Sequence, residues 1–294
     1  MSLAERSDVS TALFRSAHAE FGQFRCPPSH ERWRTTNSIG DAPTVAFPRV
    51  PVRIDQGGRD AFIADPSCVV LYNSGQTYAR RALCERGDEC EFVRIDPGLI
   101  EDALSDTGYV PDRTPERPFE ASTAPCPPRV YMLQRRLHAR LTGDEVGDDA
   151  LGCEEMFYSL VEEALRLAWA GRGQRRRRGM RAGTLRAHQE LVENAKRVLL
   201  ANWAENISVD VVARAAHSTP FHLCRVFKAM TGYTMHAYLR AVRLAAALEQ
   251  LGEFPENLSR LARGTGFASH AHFTEAFADA FGITPARARA EWRR

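Results

Sequence analysis

Residues 219–232 read TPFHLCRVFKAMTG and residues 269–282 read SHAHFTEAFADAFG. Laid over each other at a spacing near 50, His222-Leu223 matches His272-Phe273, Phe227 matches Phe277, and Gly232 matches Gly282. Beyond them Thr234 matches Thr284, and upstream Ala213 and His217 correspond to Ala262 and Gly266. Self-similarity at such a period marks the duplication of one supersecondary unit. Each stretch opens on a hydroxyl residue suited to cap a helix, Thr219 or Ser269, and closes on a glycine suited to end one. Pro220 follows Thr219 at the first helical position, where its missing N–H costs nothing. Leu223, Val226 and Phe227, and in the second stretch Phe273, Ala276 and Phe277, recur at helical spacing and form inward stripes.

A shorter helix is expected before each stretch. Ser208 caps the first, 208–216, with Val211, Val212 and Ala215 as apolar contacts and small Ala213 at the crossing. Asn257 caps the second, which runs through Leu261 and Ala262. The sharp turns fall at His217-Ser218 and at Gly266; a left-handed backbone favours glycine, and histidine is among the tolerated exceptions. Residues 235–251 form a connecting helix, with Tyr238, Leu239, Val242 and Ala246 at helical spacing. At about 1.5 Å per residue it holds the two units roughly 25 Å apart, with side-chain packing added. Successive major grooves on one face of B-DNA lie ~34 Å apart, within reach of such a spacing.

The runs TPFHLCRVFKAMTGYTMHAYLRAVRL (219–244) and SRLARGTGFASHAHFTEAFADAFGITPARAR (259–289) closely resemble the DNA-binding domain of the AraC/XylS family of transcriptional regulators. The resemblance covers residues 186–289. It implies two helix-turn-helix subdomains joined by a long helix, an N-terminal effector or dimerisation domain, and an arginine at the position of Arg225 in the DNA. Some relatives are fused to an alkyl-transfer repair enzyme, whose tetrad of zinc cysteines is missing here. YNSGQTY (72–78) and GDEC (87–90) before EFVRI (91–95) weakly resemble the cupin-like sensor halves of some members.

Double-stranded DNA is the expected partner. Beside the cap Thr219, the outward positions of the first recognition helix are Pro220, Phe221, Cys224, Arg225 and Lys228. Arg225 is the expected base reader, because its fork matches guanine O6 and N7. Lys228 is expected on phosphate. Phe221 is assigned to a thymine methyl, or alternatively to packing against its own domain, and Cys224 to groove contact, or alternatively to a redox-sensitive thiol. On the second helix the candidates are Ser269, His270, Ala271, Thr274 and Glu275, with Ala278 and Asp279 beyond. Glu275 stands where the first helix has Arg225, and Ala278 where it has Lys228. Acids repel phosphate, so the second unit is expected to bind more weakly, although Glu can accept from cytosine N4. Arg287, Arg289, Arg293 and Arg294 either restore phosphate contact or form a solvated tail. His222 and His272 are expected to be buried or capping, with no metal or catalytic role.

The net charge of +2 conceals an asymmetry. Residues 1–170 hold 19 arginines against 27 acids, net −8, whereas 171–294 hold 20 Lys and Arg against 10 acids, net +10. The basic half therefore suits a polyanion. GRGQRRRRGMRAGT (171–184) reads as a linker whose arginines are solvated or touch phosphate. Upstream, 9–20 reads as a short helix in an otherwise irregular 1–40. Short apolar runs at 51–54, 61–64, 68–72 and 90–95, bounded by Gly, Pro, Asn and Asp, read as a small antiparallel β unit over 44–97. Helical spacing at 99–104, 130–141 and 150–169 then predicts a helical hairpin packed on that unit or used for dimerisation.

The expected fold class is α+β. It comprises an N-terminal sensor or dimerisation domain (1–170) with a degenerate cupin-like β unit and helical hairpin, then the linker and an all-α DNA-binding domain (185–294) with helix-turn-helix units at 208–232 and 257–282. Seven scattered cysteines without a C-x-x-C pair favour reduced thiols in a cytosol. Cys84 and Cys90 read as structural. No apolar leader and no run of about 18 apolar residues is present, so a cytoplasmic protein without membrane contact is expected. With no nucleophile elbow, Walker loop, zinc motif or histidine cluster, neither catalysis, cofactor nor metal is expected. Two function classes stay open: a regulator answering to a small-molecule effector in its N-terminal domain, and one governed by a protein partner or by abundance. A thiol sensor stands third. A homodimer and, for an activator, RNA polymerase complete the expected partners.

Overall fold

The computed structural model describes residues 9–57, 61–106, 114–143, 150–170, 182–251 and 257–291. The chain divides into two compact units, Met1–Cys126 with Leu133–Arg175, and Pro127–Met132 with Arg176–Arg294.

Among the described residues the first unit holds ten strands, β1 (Ser10–Arg15), β2 (Ala19–Cys26), β3 (Asn37–Ser38), β4 (Thr44–Pro48), β5 (Val52–Asp55), β6 (Phe62–Ala64), β7 (Cys68–Tyr72), β8 (Thr77–Ala82), β9 (Asp88–Ile95) and β10 (Thr123–Pro125). One antiparallel sheet has the order β1-β2-β9-β4-β7-β10 and the other β3-β8-β5-β6. Side chains alternate across a strand, and β4, β7 and β9 use both faces. Ala46, Val70, Tyr72 and Phe92 join Val52 and Ile54 of the second sheet in one apolar cluster. The odd positions Val45, Phe47, Val69, Leu71 and Val93 are buried on the opposite face. There Glu91, fully shielded from solvent, accepts from Arg135 at 2.8 Å and lies 3.5 Å from Arg49. A buried carboxylate needs such partners, since one left unpaired is costly. Arg135 belongs to α2 (Pro128–Thr142), which follows α1 (Pro97–Asp106) and precedes α3 (Ala150–Ala170). In α3, Phe157 is buried against Phe14, with ring centroids 4.8 Å apart.

Two sequence expectations are corrected here. Residues 9–20 are not a helix: they form β1 and the start of β2, which pairs with β9 from Ala19↔Ile95 to Cys26↔Asp88. The β unit therefore begins near residue 10 and also takes in β3, β8 and β10. Residues 171–181 of the expected linker lie outside the described residues, and its last three positions belong to the next helix.

The second unit holds α4 (Ala182–Ala201), α5 (Val209–Ala215), α6 (Pro220–Thr231), α7 (Met235–Gln250), α8 (Leu258–Gly264), α9 (His270–Phe281) and α10 (Pro285–Glu291). Val192, Ala195 and Leu199 of α4 pack with Val212, Leu223, Phe227 and Tyr238 in one core. Around α9 a column of rings runs Phe267–Phe273–Phe277–Phe281, with centroids 5.2, 5.6 and 4.6 Å apart.

Candidate nucleic-acid interface

Two short-helix, long-helix pairs, α5–α6 and α8–α9, repeat their hydrogen bonds almost bond for bond. Ser218 N–H donates to Ala213 O and Phe267 N–H to Ala262 O, both at 2.9 Å, while His217 and Gly266 donate to Arg214 O and Arg263 O at 3.1 Å. The turn residues themselves are left-handed, His217 at φ 53° and Gly266 at φ 80°. Caps repeat as well: Thr219 Oγ1 accepts from His222 N–H at 3.4 Å and Ser269 Oγ from His272 N–H at 3.1 Å. Both long helices end on left-handed glycines, Gly232 and Gly282.

The turns differ by one residue. Phe267 makes the bond that Ser218 makes, yet Ala268 intervenes before the cap Ser269, whereas Thr219 follows Ser218 directly. Buried Phe267 anchors the longer turn on Phe273. Gly266 packs tightly: a Cβ there would lie 2.7 Å from Ala204 O and 2.8 Å from Arg243 Nε. Arg243 of α7 donates to Trp203 O and Glu205 O, both at 2.7 Å. The second turn is thus seated on the segment that leads into the first pair.

The inward stripe of α6 is Leu223, Val226 and Phe227, all nearly inaccessible. Its other face presents Pro220, Phe221, Cys224, Arg225 and Lys228, every one exposed, and Thr219 is exposed beside them. Phe221 is 81% exposed, so the alternative of packing into its own domain is excluded. On α9, His270, Ala271, Glu275 and Asp279 are exposed, as is the cap Ser269, but Thr274 and Ala278 are half-buried. The outward assignment of Thr274 is therefore corrected, because it sits at the margin of the ring column.

Three further expectations change. Val211 is 42% exposed and Ala215 is also exposed; the contacts of α5 are Val212, Ala213 and, just beyond its end, Ala216. His222 is half-buried, edge-on to His188 of α4 at 5.7 Å, and His272 is exposed with its ring 5.6 Å from Phe267. Neither caps with its side chain; their backbone N–H groups receive the caps. Burial, His222 and then Arg225 hold the His188 imidazole below its usual range. Arg293 and Arg294 lie outside the described residues, while Arg287 stands 3.5 Å from Glu291.

Sequence reasoning missed Arg214 of α5 and Arg260 and Arg263 of α8, all exposed on the shorter helices. Their signal was available, since each sits one position from a buried residue of its helix. Among the described residues no three His, Cys, Asp or Glu side chains are grouped to hold a metal, and no helix is long and apolar enough to cross a membrane.

Residues 212–291 match the family described as "Helix-turn-helix domain". The probable transcription factor PqrA of Proteus vulgaris is 36% identical over 85 residues, which cover 29% of this chain and 70% of PqrA. The bifunctional transcriptional activator/DNA repair enzyme AdaA of Bacillus subtilis is 32% identical over 88 residues, 30% of this chain but only 42% of AdaA. Among solved structures, a regulator with an AraC-type DNA-binding domain from Chromobacterium violaceum is 27% identical, with a TM-score of 0.34, over 39% of this chain and 98% of that one. The duplicated helix pairs and the match to PqrA lead to one conclusion: the chain belongs to the AraC/XylS family of transcriptional regulators.

Proposed function

We propose that the protein is a sequence-specific DNA-binding transcriptional regulator in which α5–α6 and α8–α9 act as helix-turn-helix units and place α6 and α9 in successive major grooves. The observation that carries this reading is the outer face of α6, where a fully presented Phe221 stands with Arg225 and Lys228 on a helix whose other face is sealed. A large exposed aromatic beside two cations is costly to leave in water and suits a groove lined by bases and phosphates. Arg225 reads a base, Phe221 meets a thymine methyl, Cys224 contacts the groove wall, and Lys228, Thr219 and Pro220 lie along the backbone. Ser269, His270, Ala271 and Glu275 make the weaker set, with Arg260 and Arg263 supplying the phosphate contacts that acidic α9 lacks.

The N-terminal domain (1–170), a degenerate cupin-like β unit with its helices, modulates this activity, and the protein works in the cytoplasm without catalysing a reaction. If it activates, RNA polymerase is its partner. Unbiased oligonucleotide selection with the full chain tests the reading. A bipartite motif with its parts about 10–10.5 base pairs apart is expected; no sequence preference would defeat it. The second reading, control by a protein partner or by abundance, predicts that no small molecule in a broad metabolite library raises the thermal midpoint.

A further inference from the structure

α4 ends at Ala201, and the chain turns at once. Asn202 donates to Val198 O twice, through its backbone N–H at 3.2 Å and its Nδ2 at 2.8 Å, and Glu205 N–H donates to Asn202 O at 3.0 Å. Carbonyls at the end of a helix have no partner within it and must find one elsewhere. Here the successive carbonyls of Trp203, Ala204 and Glu205 are taken up by α7 and the second helix pair. Arg243 Nε donates to Trp203 O and Nη2 to Glu205 O, both at 2.7 Å. Ala204 O, between them, is the atom that a Cβ on Gly266 would meet at 2.7 Å. The same Cβ would lie 2.8 Å from Arg243 Nε, so the glycine of the α8–α9 turn fits against both the guanidinium and the carbonyl row.

Arg243 also stands where α7 changes partners. Met235, Tyr238, Leu239 and Val242 belong to the core that α4, α5 and α6 share, whereas Leu244, Ala247 and Leu248 are buried outside that cluster. Burial works against the charge of this guanidinium, and no carboxylate offsets it among the described residues. An apolar side chain of similar length would escape that cost. It would lack the rigid fork of donors, which holds two carbonyls at a set distance and angle. The negative end of the α4 dipole lies at the same place and gives a further reason for a cation.

We propose that Arg243 is the positioning residue that joins α5–α6 and α8–α9 into one rigid body, so that α9 arrives at the duplex already placed once α6 is seated. Its effect on DNA rests on the two-groove reading; the joint itself does not. A rigid joint lowers the cost of the second contact, because the two pairs are ordered on folding and not on the duplex. The guanidinium is committed to carbonyls, so Arg243 acts through α9 and contacts no phosphate.

Arg243→Met in the full chain tests this in two ways. Spin labels carried by unnatural amino acids at Asp210 and Ser259, both exposed, report the distance between α5 and α8 without DNA. The distribution should be narrow in the parent and at least about twofold broader in the variant; equal widths would overturn the joint. Fluorescence anisotropy then compares the operator found by oligonucleotide selection with a duplex cut short before its α9 part. The parent should prefer the long duplex by about tenfold or more and Arg243→Met by less than about threefold. Short-duplex affinity should stay within about twofold of the parent, with an unchanged salt dependence. An undiminished long-duplex preference, or matched losses on both duplexes, would overturn the positioning role. Should Arg243→Met fail to melt cooperatively, Arg243→Lys, which keeps the charge but not the fork, is measured in its place with the same expected outcomes. A parent without any long-duplex preference removes the two-groove reading, and the label widths still decide the joint.

Discussion

The two helix pairs share a backbone plan and differ in what they do with it. α5–α6 turns on a strained histidine, His217, and presents Arg225 and Lys228; α8–α9 turns on Gly266 and presents Glu275 and Asp279. Duplication preserved the caps, the turn bonds and the inward stripe, which hold the fold, while the outward positions diverged in charge. Geometry and binding chemistry therefore changed independently.

The turns offer the largest measurable contrast. Gly266→Ala adds a Cβ against the Ala204 carbonyl in a left-handed backbone and should destabilise the protein by about 3 kcal/mol or more. His217→Gly relieves strain and should change stability by no more than about 1 kcal/mol. Equal urea midpoints for the two variants would remove the claim that only the second turn is locked by its neighbours. Next comes the outward face. Arg225→Ala should weaken operator binding by ~1–3 kcal/mol and relax preference at one base, whereas Glu275→Ala should leave affinity unchanged or improve it. Fluorescence anisotropy titrations that show matched losses would make the units equal partners. A smaller change is expected from Glu275→Arg, which should tighten binding by up to about tenfold and steepen the salt dependence by about one unit; weaker binding would place Glu275 on a cytosine.

The smallest effect belongs to His188. Its imidazole is held down in the folded protein by burial, His222 and Arg225, so the unfolded chain takes the proton first. Stability is complete above the ordinary value of 6.5 and declines slightly as pH falls through it. DNA phosphates act in the opposite sense, so operator affinity should rise toward pH 6. His188→Gln should flatten both trends, and an unaltered pH profile in that variant would show that bound phosphate is not felt at His188.

Legibility in the sequence followed the range of the interactions. Caps, turns and stripes of the second unit are written within a few residues of one another, so Thr219, His217, Gly266 and Gly282 could be placed directly. In the first unit, strand β2 is defined by β9; Glu20 finds Arg94 across 74 positions, and nothing local in 9–20 announces it. Val9, Ala12 and Leu13 imitate helical spacing instead. β8 was hidden by Arg80, a charged residue that points inward between the Phe24 and Trp33 rings, 4.5 and 4.8 Å from their centroids, so its alternation carried the wrong polarity. Thr274 and the two matched histidines show the limit of helical counting, which gives a face but not the depth of the neighbouring surface.

The connector α7 sets a phase as well as a distance. Each residue of a helix turns the chain by about 100° and advances it about 1.5 Å. If both helices enter the grooves as proposed, one residue inserted after Ala246 would swing α9 away from the duplex, whereas four would nearly restore its bearing at about 6 Å greater separation. On that proposed reading, the helical repeat of the operator is coupled to the length of one protein helix, and operators that differ in half-site spacing by a few base pairs should bind more weakly.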